Sequence, residues 1–222
     1  MRSFLSLLLV AMLAVGPWNL PVSAASAKPL GVVVQAKSAH LDFAEAAMGA
    51  TVYSGDAMDT DEGGALRFRV GSSQIYLTPV SAASVEEVAN VAHITMVKGT
   101  VGFSTTSPDQ LELETPAGIL RGTPGQTAFG QATILGPQEM LIYAYRGNIV
   151  LDNDGEFYTI PEGKAYRVTI SDEMSATSSD DQPIKVHRKK RRKLAFILIA
   201  GGAAAAGLLL WHNIYPSPST PE

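Results

Sequence analysis

The sequence predicts an all-β domain of many short antiparallel strands in a jelly-roll or β-helix-like stack. It also predicts a signal peptide before the domain and an apolar helix after it. Three observations carry the prediction of the domain. Apolar and polar residues alternate with a period of two in segments such as "ALRFRV", "SQIYL", "HITMV", "TVGFS", "LIYAY" and "AYRVTI", the pattern of strands with one face in a core. Turn-forming groups ("EGG", "VGSS", "KGT", "SPD", "PAG", "PEG") interrupt the alternation at intervals of about eight to twelve residues. In "LDNDGEF" an Asp-Gly pair between two alternating runs supplies the positive φ of a tight hairpin turn.

Residues 1–27 read as a signal peptide. Arg2 gives a charged start, Phe4 to Val15 is apolar apart from Ser6, Gly16-Pro17 breaks any helix, and "PVSAASA" offers small-residue cleavage sites. A dozen apolar residues are too few to span a bilayer. Residues 28–170 form the β domain, long enough to bury a single core without disulfides. The chain has no cysteine, which removes thiol nucleophiles and the usual structural zinc sites. The stretch "AHLDFAEAAMG" (Ala39 to Gly49) fits either a short helix or a strand followed by a loop. "MGATVYSGD", "VKGTVGFST" and "YRGNIVLDN" each place a glycine before a β-branched strand. That echo suits a stack of short strands but is too degenerate to define a solenoid.

Residues 171–193 begin as a polar, Ser- and Asp-rich linker and end in six consecutive cations, Arg188, Lys189, Lys190, Arg191, Arg192 and Lys193. Residues 194–211 are 18 uncharged residues, near the lower limit for a transmembrane helix, and a short Pro-rich tail covers 212–222. Residues 28–184 hold nine of the 17 Lys and Arg and 20 of the 21 Asp and Glu. The domain is therefore acidic and ill suited to nucleic acid, while the basic run next to an apolar segment is suited to anionic lipid head groups. The six cations are the predicted membrane contacts. A positive run normally stays cytoplasmic, but a signal peptide delivers the domain outward before the second apolar segment emerges, so the domain is expected on the outer side.

Four segments, in order, resemble the FecR-like domain. "GATVYSGDAMDTDEGGALRFRVGSSQIYLTPVS" (Gly49 to Ser81) is similar to its opening strands and Gly-Asp turn, and "ITMVKGTVGF" (Ile94 to Phe103) to its Gly-x-Val strand. "LETPAGILRGTPGQTAF" (Leu113 to Phe129) is similar to its Thr-Pro and Gly-Thr segment, and "AYRGNIVL" with "IPEGKAYRV" to its closing strands. The motif positions are Gly55, Asp56, Gly99, Thr115, Pro116, Gly122, Thr123, Gly147 and Gly163, and each has a scaffold reading. Asp56 is placed to cap backbone N–H groups, Pro116 holds Thr115 extended, and Gly122-Thr123 allows close backbone approach. The resemblance implies a periplasmic β domain of a regulator of ferric citrate uptake. This chain departs from that layout in having no anti-sigma segment ahead of the first apolar run.

No catalytic or cofactor-binding set is expected. His40, His93, His187 and His212 lack metal-ligand spacing. Asp56, Asp59, Asp61 and Glu62 crowd one loop, but without the far bidentate Glu of a calcium loop. "GILRGTPGQT" lacks the Gly-Lys-Ser/Thr of a phosphate loop, and no serine stands in a nucleophile elbow. Tyr143, Tyr145, Tyr158 and Tyr166 are strand residues that offer an aromatic shelf. These readings point to a non-catalytic binding or scaffold module of the cell envelope, exported and tethered at the outer side of the cytoplasmic membrane. Its partners would be membrane lipids and an envelope protein or glycan. The alternatives are a signal relay acting with a sigma factor, which needs a cytoplasmic effector segment, and an envelope hydrolase, which needs a nucleophile and base.

Overall fold

A computed structural model of the chain describes residues 28–172 and 192–199. The expected signal peptide, Arg188 to Arg191 and residues 200–222 lie outside them. The described residues form strands throughout, apart from one 3-10 turn at Pro108–Gln110. The first strand, β1 (Pro29–Leu41), runs beside the long β4 (Ala57–Val70), with the short β2 (Ala44–Glu45) and β3 (Thr51–Tyr53) completing its edge. The ambiguous stretch from Ala39 to Gly49 is thus strand, turn and a two-residue strand, not helix. It lacks a stripe for burial: Phe43 and Met48 are both exposed.

Hairpins supply most of the rest. β4 turns into β5 (Ser73–Leu77), and β6 (Ala82–Val88) into β7 (Val91–Lys98). After β8 (Thr100–Thr105), the pairs β9 (Leu111–Thr115) with β10 (Gly118–Gly122), β11 (Ala128–Gly136) with β12 (Glu139–Arg146), and β13 (Ile149–Asn153) with β14 (Glu156–Ile160) follow. The Asp-Gly turn predicted from "LDNDGEF" joins the last pair, with Asp154 and Gly155 at φ of 52° and 87°. The described residues end in β15 (Lys164–Asp172) and β16 (Arg192–Ile199).

All of them belong to one curled, half-barrel sheet; thirteen follow the order β14-β13-β10-β9-β7-β6-β4-β5-β8-β11-β12-β15-β16, and β1 branches from β4 with β2 and β3 paired to it. After β7 the chain crosses to the half containing β5, β11 and β12, and it recrosses between β8 and β9, β10 and β11, β12 and β13, and β14 and β15. Short hairpins, not repeating coils, build the sheet, so a β-helix-like stack is not what forms. The pairing of β7 with β9 is parallel, a departure from the expected all-antiparallel arrangement that follows from the intervening β8 pairing elsewhere.

The inward side of both halves makes one core. Phe68, Ile75, Ile94, Phe103, Leu113, Leu120, Met140, Ile142, Ile149 and Val168 are all at most 2% exposed. Gly130 lets the halves close: a Cβ there would run into the Ile149 Cδ1 and the Phe103 ring. At Gly147, φ is 67° and a Cβ would strike the Thr127 carbonyl, so only glycine suits the turn that carries the chain from β12 to β13.

The C-terminal expectation requires a correction. Residues 192–199, assigned above to the end of a linker and the start of an apolar helix, form β16 against β15, from Asp172 opposite Arg192 to Ala165 opposite Ile199. No helix among the described residues is long and apolar enough to cross a membrane. The physical reason is the edge: without β16, β15 would present a row of open backbone groups, and "LAFILI" has the β-branched and aromatic content of a strand.

Candidate functional site

The sheet's outward side carries different chemistry on its two halves. On one half, strand register lines up Arg67 of β4, Tyr76 of β5, Gly102 of β8, Gln131 of β11, Tyr143 of β12 and Ala165 of β15. The adjoining row holds Arg69, Gln74, Ser104, Phe129 and Arg146. A bulge between Phe129 and Gly130 sets two residues of β12, Tyr145 and Arg146, against Phe129.

The aromatic rings form a continuous group. Phe129 stacks on Tyr145 at 4.6 Å, Tyr145 meets Tyr143 edge-on at 4.1 Å, and Tyr76 meets Phe129 edge-on at 6.4 Å. Gly102 has no side chain, and the Tyr76 ring occupies the space above it. Amides and hydroxyls are interleaved with the rings. The Tyr145 hydroxyl donates to Gln131 Oε1 at 3.2 Å, and the Tyr76 hydroxyl to Gln74 Oε1 at 3.1 Å. Gln131 Nε2 donates to Thr133 Oγ1, which in turn lies 3.0 Å from Thr100 Oγ1. Burial pushes the Tyr145 phenol above its ordinary value of 10.0, and neighbouring Tyr143 adds to the rise. Tyr76 is buried at 8% exposure and backs the group, while Phe129, Tyr143 and Tyr145 are half-buried and keep part of each ring in water, an arrangement that binds by stacking and hydrogen bonding.

The four tyrosines expected to make a shelf do not act together. Tyr143 and Tyr145 are on this face. Tyr166 lies opposite Ile142 and Tyr158 opposite Leu151, so both turn inward and pack against the core and Phe196. Sequence reading missed Tyr76, Phe129 and Gln131. Their alternation with buried neighbours was visible, but their meeting depends on β5, β8 and β11 becoming neighbours.

The other half is ionic. His93 Nδ1 lies 3.0 Å from Glu112 Oε2, and Arg121 bridges Glu112 at 2.7 Å and Asp152 at 3.4 Å. The Nε of Arg121 approaches Glu112 closely but off line, a charge contact and not a straight hydrogen bond. An open cleft of about 560 Å³ between two turns is lined by Glu114, Asp152 and Asp154 together with Thr115 and Pro116.

Of the crowded acidic loop, Asp59 and Asp61 face His40 at 3.3 and 3.9 Å. That trio's ligand atoms lie within 4.8 Å of one another, close enough to share a cation, though all three side chains are open to water. Asp56 is turned away: its Oδ2 accepts the Tyr53 backbone N–H at 2.7 Å. The remaining motif residues are in turns. Gly55, Gly99 and Gly163 have positive φ. The Thr115 hydroxyl donates to the Gly118 carbonyl at 2.7 Å, and that of Thr123 to the Asn148 carbonyl at 3.2 Å. Gly122 lies against Ala128 and Pro108. Of the predicted membrane contacts, Arg192 and Lys193 open β16, with Lys193 opposite Ser171.

These features define an all-β domain with one aromatic and one ionic outward face. No family model matches the chain, and no curated protein matches it.

Proposed function

We propose that the β domain is a non-catalytic binding module of the cell envelope, exported and held at the outer side of the cytoplasmic membrane, with the aromatic face as its binding surface. The observation that carries this reading is the group Tyr76, Phe129, Tyr143 and Tyr145, set among glutamines and threonines on the four strands β5, β8, β11 and β12. A sheet with one core fixes such side chains more firmly than loops do, so little ordering entropy is lost when a ligand docks. The leader-like residues 1–27 and the basic run Arg188 to Lys193 support the envelope location and the tether. The likeness of four segments to the FecR-like domain supports the same placement.

Co-sedimentation with isolated, detergent-extracted envelopes tests the binding surface. The wild-type chain sediments and the Tyr143→Ala/Tyr145→Ala chain stays in the supernatant. Equal sedimentation of the two would overturn the assignment of the face. Protease added to intact spheroplasts tests the location: digestion of the β domain is expected, and protection until the membrane is breached would place the domain inside.

A further inference from the structure

The charge of the domain is sorted between the two halves of the sheet. Residues 28–170 hold nine cations and sixteen carboxylates. The strand segments that build the aromatic face (32–37, 65–70, β5, β8, β11, β12 and 164–170) contain six of those cations: Lys37, Arg67, Arg69, Arg146, Lys164 and Arg167. They contain one of the carboxylates, Glu139, which Arg167 pairs at 3.3 Å. The fifteen others are on the ionic half, the β1–β4 edge or the turns. By register Lys37, Arg67, Arg69, Arg146 and Arg167 stand on the outward rows and Lys164 lies opposite Ala144 on the inward one, so five of the nine cations of this acidic domain lie around one aromatic surface. This segregation is set by strand register. Its physical effect is to draw an anion to this face while the rest of the domain repels it.

We infer that the face takes an acidic polysaccharide, a polymer of sugar rings bearing carboxylates; this rests on the reading of the face as the binding surface. Sugar rings match the aromatic edges, and sugar hydroxyls both donate and accept, as do Gln74, Gln131, Ser104 and Thr133 between the rings. The exposed Arg69 and Arg146 lie at either end of the row that contains Phe129 and meet the carboxylates. From β4 to β15 the face spans five strand spacings, about 24 Å, so it receives a run of several sugars and not a single one. A membrane surface is disfavoured because Phe129, Tyr143 and Tyr145 are half-buried among polar groups and Tyr76 is buried. Single-stranded nucleic acid shares the need for cations and rings, and it is separated by experiment.

The test uses the full chain with Arg188, Lys189, Lys190 and Arg191 changed to Gln in every sample, so that most of the basic run is removed and the remaining Arg192 and Lys193 contribute equally throughout. Retention is measured in gels containing polygalacturonate, the same polymer with its carboxylates reduced to alcohols, or a single-stranded oligonucleotide. Polygalacturonate retards the protein, salt abolishes the retardation, and Arg69→Gln/Arg146→Gln weakens it about tenfold without changing the melting temperature. Equal retardation by the reduced polymer overturns the requirement for charge and leaves the binding-module reading standing. Preferential retardation by the oligonucleotide overturns the polysaccharide. If no polymer retards the protein while envelope sedimentation still depends on Tyr143 and Tyr145, the polysaccharide is overturned alone; if that dependence is also lost, both readings fall.

Discussion

Tyr158 of β14 and Phe196 of β16 meet with ring centroids 4.5 Å apart, although their strands stand at opposite ends of the sheet's order. The curl of the sheet brings its two edges together, and side chains take over where backbone pairing stops. Tyr166 meets the same Phe196 ring edge-on at 6.3 Å. Phe196→Ala is expected to cost about 1–2 kcal/mol, less than a fully buried Phe. A double-mutant cycle with Tyr158→Ala should give a coupling of about 0.5–1.5 kcal/mol. Additive losses in chemical denaturation would mean that the edges do not touch.

Gly130 sets the distance between the two halves of the sheet. Gly130→Ala should destabilise the domain by about 1–3 kcal/mol, because the new methyl overlaps the Ile149 Cδ1. Ile149→Val removes that atom, so the double variant should recover part of the loss in thermal unfolding. No recovery would place the clash elsewhere.

Asp56 is 9% exposed and its carboxylate accepts the Tyr53 N–H. Asp56→Ala orphans that donor and should cost about 1–3 kcal/mol. Asp56→Asn keeps an acceptor oxygen and should cost less. Equal losses measured by urea denaturation would show that the carboxylate's charge, and not its capping geometry, is what the turn requires.

The raised phenol of Tyr145 has a defined consequence at alkaline pH. The folded state holds this proton more tightly than the unfolded chain does, so between the unfolded value near 10.0 and the higher folded one the native state binds more protons. Stability from this group is complete below pH 10 and is lost as the pH rises through the folded value. Ionisation also removes the hydrogen that Tyr145 donates to Gln131. Tyr145→Phe should therefore show a shallower decline in melting temperature above pH 10 than the wild type. Identical slopes would exclude Tyr145 as the source.

The β character of residues 28–170, the Asp-Gly hairpin at Asp154-Gly155 and the need for glycine at Gly147 were legible in the sequence. They depend on local rules: alternation selects the face of a strand, and positive φ selects glycine. Strand order was not legible. Alternation says which side of a strand faces the core but not which strand lies beside it, so the parallel contact of β7 with β9 and the curl joining Tyr158 to Phe196 come from tertiary structure alone. The same limit applied to the site. Tyr143 and Tyr145 were picked out by residue type, but Tyr158 and Tyr166 looked equivalent until register turned them inward.

Residues 192–199 show the competition most plainly. Read alone, "KLAFILI" begins an apolar helix; next to an open edge at β15 it forms a strand, because unpaired backbone there is satisfied by pairing. By itself the sequence determined composition, alternation, turn positions and the excess of acid. The tertiary structure decided which strands became neighbours, and with them that five scattered cations and four aromatic rings share one face. Register is a long-range property, fixed by packing both halves of the sheet around one core and not by any residue's own preference.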